Sequence, residues 1–248
     1  MTASRTALLA TMPALLFALC LTALVTGAAS AANLQISPVT ISMRAEQSSA
    51  GITLQNLGET PLFGQVRVYL WDQLQGEESL TPTQELVASP PIVEIAANSR
   101  QTIRLVRTQA GAAQQERTYR VLIDEVGRDD DPSRSGVDIR LRYSVPVFVL
   151  ATGTPGKEAL SWQVFRKDGE WMLRVQNSGT LHAQIGSMTL TNQAGKDHVI
   201  SKGLFGYVLS GRMREWRLPV PKDAALEGPL EVAVNVNAKA NVARTSTP

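Results

Sequence analysis

Apolar residues in this chain recur at every second position and show almost no helical spacing. Ile52 and Leu54, then Val66, Val68 and Leu70, then Tyr119, Val121 and Ile123 each alternate with other residues, the period of half-buried strands. The longest such run is Val137, Ile139, Leu141, Tyr143, Val145, Val147 and Val149. Turn formers separate the runs: Asn56-Leu57-Gly58, Gly76, Pro90-Pro91, Asn98-Ser99 and the stretch from Gly127 to Gly136. Short strands at close spacing predict an all-β protein built as an immunoglobulin-type sandwich. In the opening strand the parity changes at Pro38, with Leu34 and Ile36 on one set of positions and Val39, Ile41 and Met43 on the other. That change predicts a kinked strand that swaps faces or sheets.

The alternation resumes after Ala151-Thr-Gly-Thr-Pro-Gly-Lys157, which reads as a linker. Trp162, Val164, Trp171, Leu173, Val175, Ile185, Met188, Leu190 and Val232-Val234-Val236 supply a second set of strands. The first thirty-odd residues are different material: Arg5, an apolar run from Leu8 to Val25, and Ala29-Ser30-Ala31. They read as a secretory signal peptide cleaved after Ala31, since the Pro13-interrupted run is short for a membrane span. The expected organisation is therefore 1–31 signal peptide, 32–152 first immunoglobulin-like domain and 153–248 second, with no stable membrane anchor once the signal is removed. A length of 248 residues suits two such domains.

Composition narrows the chemistry. Lys+Arg 24 against Asp+Glu 22 is too balanced for a protein that binds nucleic acid through a basic face. The single cysteine, Cys20, lies inside the apolar run behind Leu19, which lacks the small side chain of a lipoprotein cleavage site. The mature chain then holds no disulfide and no Cys-bearing metal site. His182 and His198 have no metal-ligand spacing, and no Gly-x-Ser-x-Gly elbow or phosphate-binding glycine loop is present. Asp129-Asp130-Asp131 lacks the ligand spacing of a calcium loop and reads as solvated. Neither a catalytic site, a metal nor a cofactor is expected. Trp162, Trp171 and Trp216 read as core and interface fillers.

The run from Val137 to Leu150 is far longer than an ordinary strand of five or six residues. Two readings of its apolar set stand open. Either it packs into its own core, or it overshoots that core and pairs with the open sheet of another protein.

Several segments, in order and spacing, resemble a family. They are Pro90-Pro91 with Ile95, Asn98 and Gln101-Thr-Ile-Arg-Leu-Val-Arg107; Tyr119-Arg-Val-Leu-Ile-Asp-Glu125; Leu141-Arg-Tyr-Ser-Val-Pro-Val-Phe-Val149; and, later, Leu173-Arg-Val-Gln-Asn177, His182 and Gly206-Tyr-Val-Leu209. Nearly the whole mature chain resembles the periplasmic PapD-like chaperones of the chaperone–usher pathway. Its departures point to the archaic or alternative branch, which serves spore-coat-U-like pilins.

The resemblance implies two immunoglobulin-like β-sandwich domains set like a boomerang, a periplasmic location, and pilus or fimbrial subunits and an outer-membrane usher as partners. It implies that the last strand of the first domain lends apolar side chains to a subunit lacking its own final strand: here Val137, Ile139 and Leu141, with Tyr143 as a fourth. In the family a cationic pair, one residue on the first strand and one on the last, holds the subunit's terminal carboxylate. The alignment puts Thr40 and Pro146 at those places, so another cation must substitute. Arg120, on the strand face opposite Tyr119, Val121 and Ile123, is the first choice, with Arg142 and Arg104 in reserve. The competing view makes Arg120 a surface group paired with Glu116, Glu125 or Asp138. A pilin subunit would be expected to carry a donor extension and often a disulfide, and an immunoglobulin-like ligand-binding module an aromatic rim.

Overall fold

The computed structural model describes residues 34–109, 115–127, 140–153 and 156–246. Val137, Ile139, Asp138, the aspartate run and the proposed signal peptide lie outside these residues. The described chain is all strand, turn and loop.

Ten strands fill 34–149: β1 (Leu34–Ser37), β2 (Ile41–Met43), β3 (Ser49–Asn56), β4 (Leu62–Leu74), β5 (Glu77–Pro82), β6 (Leu86–Ser89), β7 (Ile92–Ile95), β8 (Arg100–Arg107), β9 (Arg117–Val126) and β10 (Arg142–Val149). They form two sheets, β1-β3-β8-β6 and β2-β10-β9-β4-β5, with β7 on the far part of β4. The parity change at Pro38 is a change of sheet, since β1 pairs with β3 and β2 with β10. The alternating side chains Ile52, Leu54, Val66, Ile103, Leu105, Tyr119, Val121, Ile123, Val145, Val147 and Val149 meet between the sheets as one core.

Eight strands fill 160–246: β11 (Leu160–Lys167), β12 (Glu170–Asn177), β13 (Ala183–Thr191), β14 (Asp197–Ser201), β15 (Gly206–Val208), β16 (Met213–Arg217), β17 (Glu231–Val236) and β18 (Lys239–Ser246). They run in the order β14-β13-β17-β18-β11-β12-β16, with β15 on β13. Trp162, Trp171, Leu173, Val175, Ile185, Leu190 and Val232 are in their core, with Trp216 packed against it. A bulge in β13 between Ile185 and Met188 resets the alternation there.

Both halves reuse one device at a strand end. Asn56 and Asn177 are buried, and each amide is saturated by backbone. Asn56 Nδ2 donates to Thr60, Ile95 and Ala96 carbonyls while Oδ1 accepts from Gly58 N–H. Asn177 Nδ2 donates to Leu181 and Val208 carbonyls while Oδ1 accepts from Ala159 and Gly179 N–H. The Asn-x-Gly turns seen in the sequence are anchored this way.

Candidate functional site: an open strand edge and a caged arginine

β10 pairs with β9 along its whole length, from Arg142 opposite Asp124 to Val149 opposite Arg117. Its other edge meets β2 only at Val147–Val149. Among the described residues, nothing in the ladders pairs with that edge from Arg142 to Pro146. The hydrogen-bond phase is fixed at both ends. Glu125 N–H donates to the Leu141 carbonyl, and Leu150 N–H donates to the Met43 carbonyl on β2. Odd-numbered residues therefore bond toward β9, and even-numbered ones turn their backbone groups outward. Arg142 and Ser144 present N–H and C=O to the open side, whereas Pro146 has no N–H to present.

Burial along β10 alternates up to Ser144 and is continuous from Val145 to Val149, with the outward-phase Pro146 and Phe148 buried as well. Val145, Val147 and Val149 are buried in the protein's own core, Tyr143 packs partly against it, and Leu141 is half-buried. The Tyr143 hydroxyl lies 3.4 Å from the Leu34 carbonyl and 3.5 Å from Glu125. Burial and the Glu125 charge push its phenol above the usual range. The core reading thus describes the far end of the run, while Leu141 stands where the sandwich gives out.

Arg120 lies directly across from Pro146. Tyr119, Val121 and Ile123 point into the core, and Arg120 points the other way. It is not on a solvated face. Its guanidinium carbon sits 3.7 Å from the centroid of Trp71 and 5.4 Å from that of Tyr207, and its side chain is only 11% exposed. Among the described residues its partner is Glu78, at 3.6 Å, and not Glu116 or Glu125; Asp138 lies outside them. Glu116 is taken by His182, whose N–H and Nδ1 reach it at 2.8 and 2.7 Å. Glu125 accepts from Leu141 N–H. Burial pulls the Arg120 pKa below its ordinary value, opposed by Glu78 and Tyr207, and an arginine keeps its charge regardless. The guanidinium leans toward β4 and β5, away from the open edge, while its Cα stays one strand from Pro146.

The reserve cations are placed differently. Arg142, 62% exposed, is held by Asp124, which Arg67 also pairs. Burial pushes the Asp124 carboxyl up, but the hydrogen bonds and charges of Arg142 and Arg67 outweigh it and hold it below the ordinary range. Arg104 lies on β8, in the sheet without β10, with its guanidinium 3.3 Å from Ser49 Oγ. Thr40 is half-buried in the bend before β2.

Several residues here carried no signal in the alternation. Trp71, Phe148, Tyr207 and Leu209 form a small buried cluster of their own. Phe148 stacks on His182 with centroids 3.5 Å apart and planes 2° from parallel. Trp71 meets Tyr207 edge-on at 5.6 Å. Gln73, 2% exposed, donates from Nε2 to the Tyr207 carbonyl at 2.8 Å and accepts from Leu209 N–H at 2.9 Å. Asp72 and Arg212 form a two-armed ion pair at 2.6 and 3.2 Å. In the alternation the clue was an aromatic or an amide at polar-phase positions: Trp71 and Gln73 alternate with the outward face of β4, and Phe148 with that of β10.

Two immunoglobulin-like sandwiches, an edge of the first one's last strand without a ladder partner among the described residues, and a largely buried cation opposite that strand make up the candidate site. Residues 33–154 match the family described as pili and flagellar-assembly chaperone, PapD N-terminal domain. No curated protein matches the chain in sequence. Among solved structures, a chain of the CsuC–CsuE chaperone–tip adhesion subunit pre-assembly complex, from archaic chaperone–usher Csu pili of Acinetobacter baumannii, superposes with TM-score 0.67 at 22% identity, covering 88% of this chain and 100% of that one. The YadV chaperone superposes with TM-score 0.61 at 21% identity, covering 86% and 100%. A chain of the Salmonella enterica SafA pilin–SafB chaperone complex gives TM-score 0.59 at 16% identity, covering 88% and 97%. These likenesses establish the shared two-domain fold.

Proposed function

We propose that this protein is a periplasmic chaperone for pilus or fimbrial subunits, of the archaic or alternative branch. It acts by binding alone, without nucleotide, cofactor or chemical step, and delivers each subunit to an outer-membrane usher. The observation that carries this reading is the open edge of β10 from Arg142 to Pro146, continuous with the apolar run upstream of it. Two of the similar structures are complexes of a chaperone with a pilus subunit, which supports the same reading.

In this mechanism a subunit lacking a strand accepts Val137, Ile139 and Leu141, with Tyr143 at the margin, into its groove. Each buried apolar side chain contributes about 1.5–3 kcal/mol. The outward backbone groups of Arg142 and Ser144 add ladder bonds worth about 0.5–1.5 kcal/mol each. From Val147 onward β2 occupies the edge, so the guest's last residues must leave the ladder at Pro146. They cross onto the outer face, where the Arg120 Cα is one strand spacing away, about 4.8 Å, and its guanidinium lies further on, toward β4 and β5. A guanidinium whose face lies on Trp71 keeps its N–H edge for a carboxylate. Arg120 is thus the anchor. Arg142, committed to Asp124, and Arg104, on the other sheet, remain the second and third choices.

Co-expression with a candidate pilin, followed by isolation of a one-to-one complex, tests the reading. The double variant Ile139→Asp, Leu141→Asp is expected to form no complex. Capture at the wild-type level by that variant would remove strand lending from the account.

A further inference from the structure

The cage around Arg120 is assembled from both halves of the chain, and one side chain ties its walls together. Trp71, the nearer wall, is on β4. Tyr207, the farther wall, is on β15. Two residues after Trp71, Gln73 holds the backbone on both sides of Val208, through the Tyr207 carbonyl and the Leu209 N–H. The amide is nearly sealed from water, so each of its two bonds has no ready substitute. Trp71, Tyr207, Leu209 and Phe148 pack around the joint, and Asp72 with Arg212 closes its rim. A primary amide can donate to a carbonyl and accept from an N–H across the same gap, as Gln73 does here.

We infer that Gln73 is a positioning residue for subunit capture: its amide sets Tyr207 against Trp71 and so holds the Arg120 guanidinium in the orientation that receives the guest carboxylate. This rests on the reading of Arg120 as the anchor. Without the amide, Tyr207 keeps its β15 pairing with β13 but loses its hydrogen-bonded tie to β4, and the cage around the guanidinium loosens.

Two readouts separate the inference from that reading. The first needs no guest. In the free wild-type protein the Arg120 Nε–H resonance is shifted upfield by the Trp71 ring current. In Gln73→Met, which fills similar volume but makes neither bond, the resonance moves most of the way toward that of a free arginine. Gln73→Asn keeps the amide but is one methylene too short to bridge. It gives the same result and serves if the Met variant does not fold. A folded variant with an unmoved Arg120 resonance overturns the inference. The second readout is capture of the co-expressed pilin. Gln73→Met weakens it about tenfold, comparable to the net worth of one hydrogen bond. The Gln73→Met, Arg120→Ala double variant loses no more than Arg120→Ala alone, since one residue acts through the other. Additive losses overturn the inference. If the wild-type chain itself captures no pilin, the anchor reading fails, and the resonance alone decides whether Gln73 sets the cage.

Discussion

Replacing Arg120 separates the cost of losing a structural contact from the cost of losing a binding group. The guanidinium is 11% exposed, stacked at 3.7 Å on Trp71, and 3.6 Å from a Glu78 carboxylate that is itself 41% exposed. A desolvated cation–π contact is worth about 2 kcal/mol, and the half-exposed ion pair adds well under 1 kcal/mol. Removing a charge that burial already disfavours gives part of this back. Arg120→Ala should therefore cost about 1–2 kcal/mol, a fall in thermal midpoint of roughly 2–8 °C for a chain of this size. Capture should fall much further, because a charge-assisted carboxylate contact contributes about 1.5–3 kcal/mol, or ten- to hundredfold in affinity. Arg120→Lys keeps the charge but not the planar fork, so it should recover part of the binding and little of the stacking. The assay is titration of purified variant with pilin, alongside a thermal melt. An Arg120→Ala protein that binds as tightly as wild type would move the anchor to another residue.

Two further outcomes follow from the same geometry. Asp124 is held below its ordinary value of 3.8 by Arg142 and Arg67, so its contribution to stability is whole above that value and is lost as pH falls through the lowered one. Asp124→Asn should be less stable than wild type at pH 7, with the gap closing below about pH 3.8 in denaturant titrations; a gap unchanged at pH 2 contradicts this. Asn177→Ala strips partners from the buried Val208 carbonyl, the half-buried Leu181 carbonyl and two N–H groups. It should cost about 3–4 kcal/mol, a drop in midpoint of roughly 6–16 °C, read by differential scanning calorimetry, and a drop under 2 °C would contradict the anchoring role.

Most strands were legible because each buries one face, which makes the period of two unavoidable in β3, β4, β9, β12 and β17. The sheet switch at Pro38 was legible for the same reason: a strand that changes sheets must change the parity of its buried residues. The joint was not legible. Trp71, Gln73 and Phe148 occupy polar-phase positions, and their burial comes from residues more than thirty positions distant, such as His182, Tyr207 and Leu209. The outward face of Arg120 was legible in β9, but its partner was not. Glu78 reaches it across the β4–β5 hairpin, a pairing that no local pattern in β9 encodes. The bulge in β13 likewise breaks a pattern that alternation alone would have continued.

The central claim is that the outward edge of β10 receives a strand from a subunit. Amide hydrogen exchange resolved by residue tests it most directly, because alternate N–H groups of one strand face opposite ways. In the free protein Tyr143 and Val145, bonded toward β9, should exchange slowly, and Arg142 and Ser144 quickly. In the one-to-one complex with a pilin, Arg142 and Ser144 should become protected while Tyr143 and Val145 change little. A stable complex in which Arg142 and Ser144 still exchange as they do in the free protein would contradict the account.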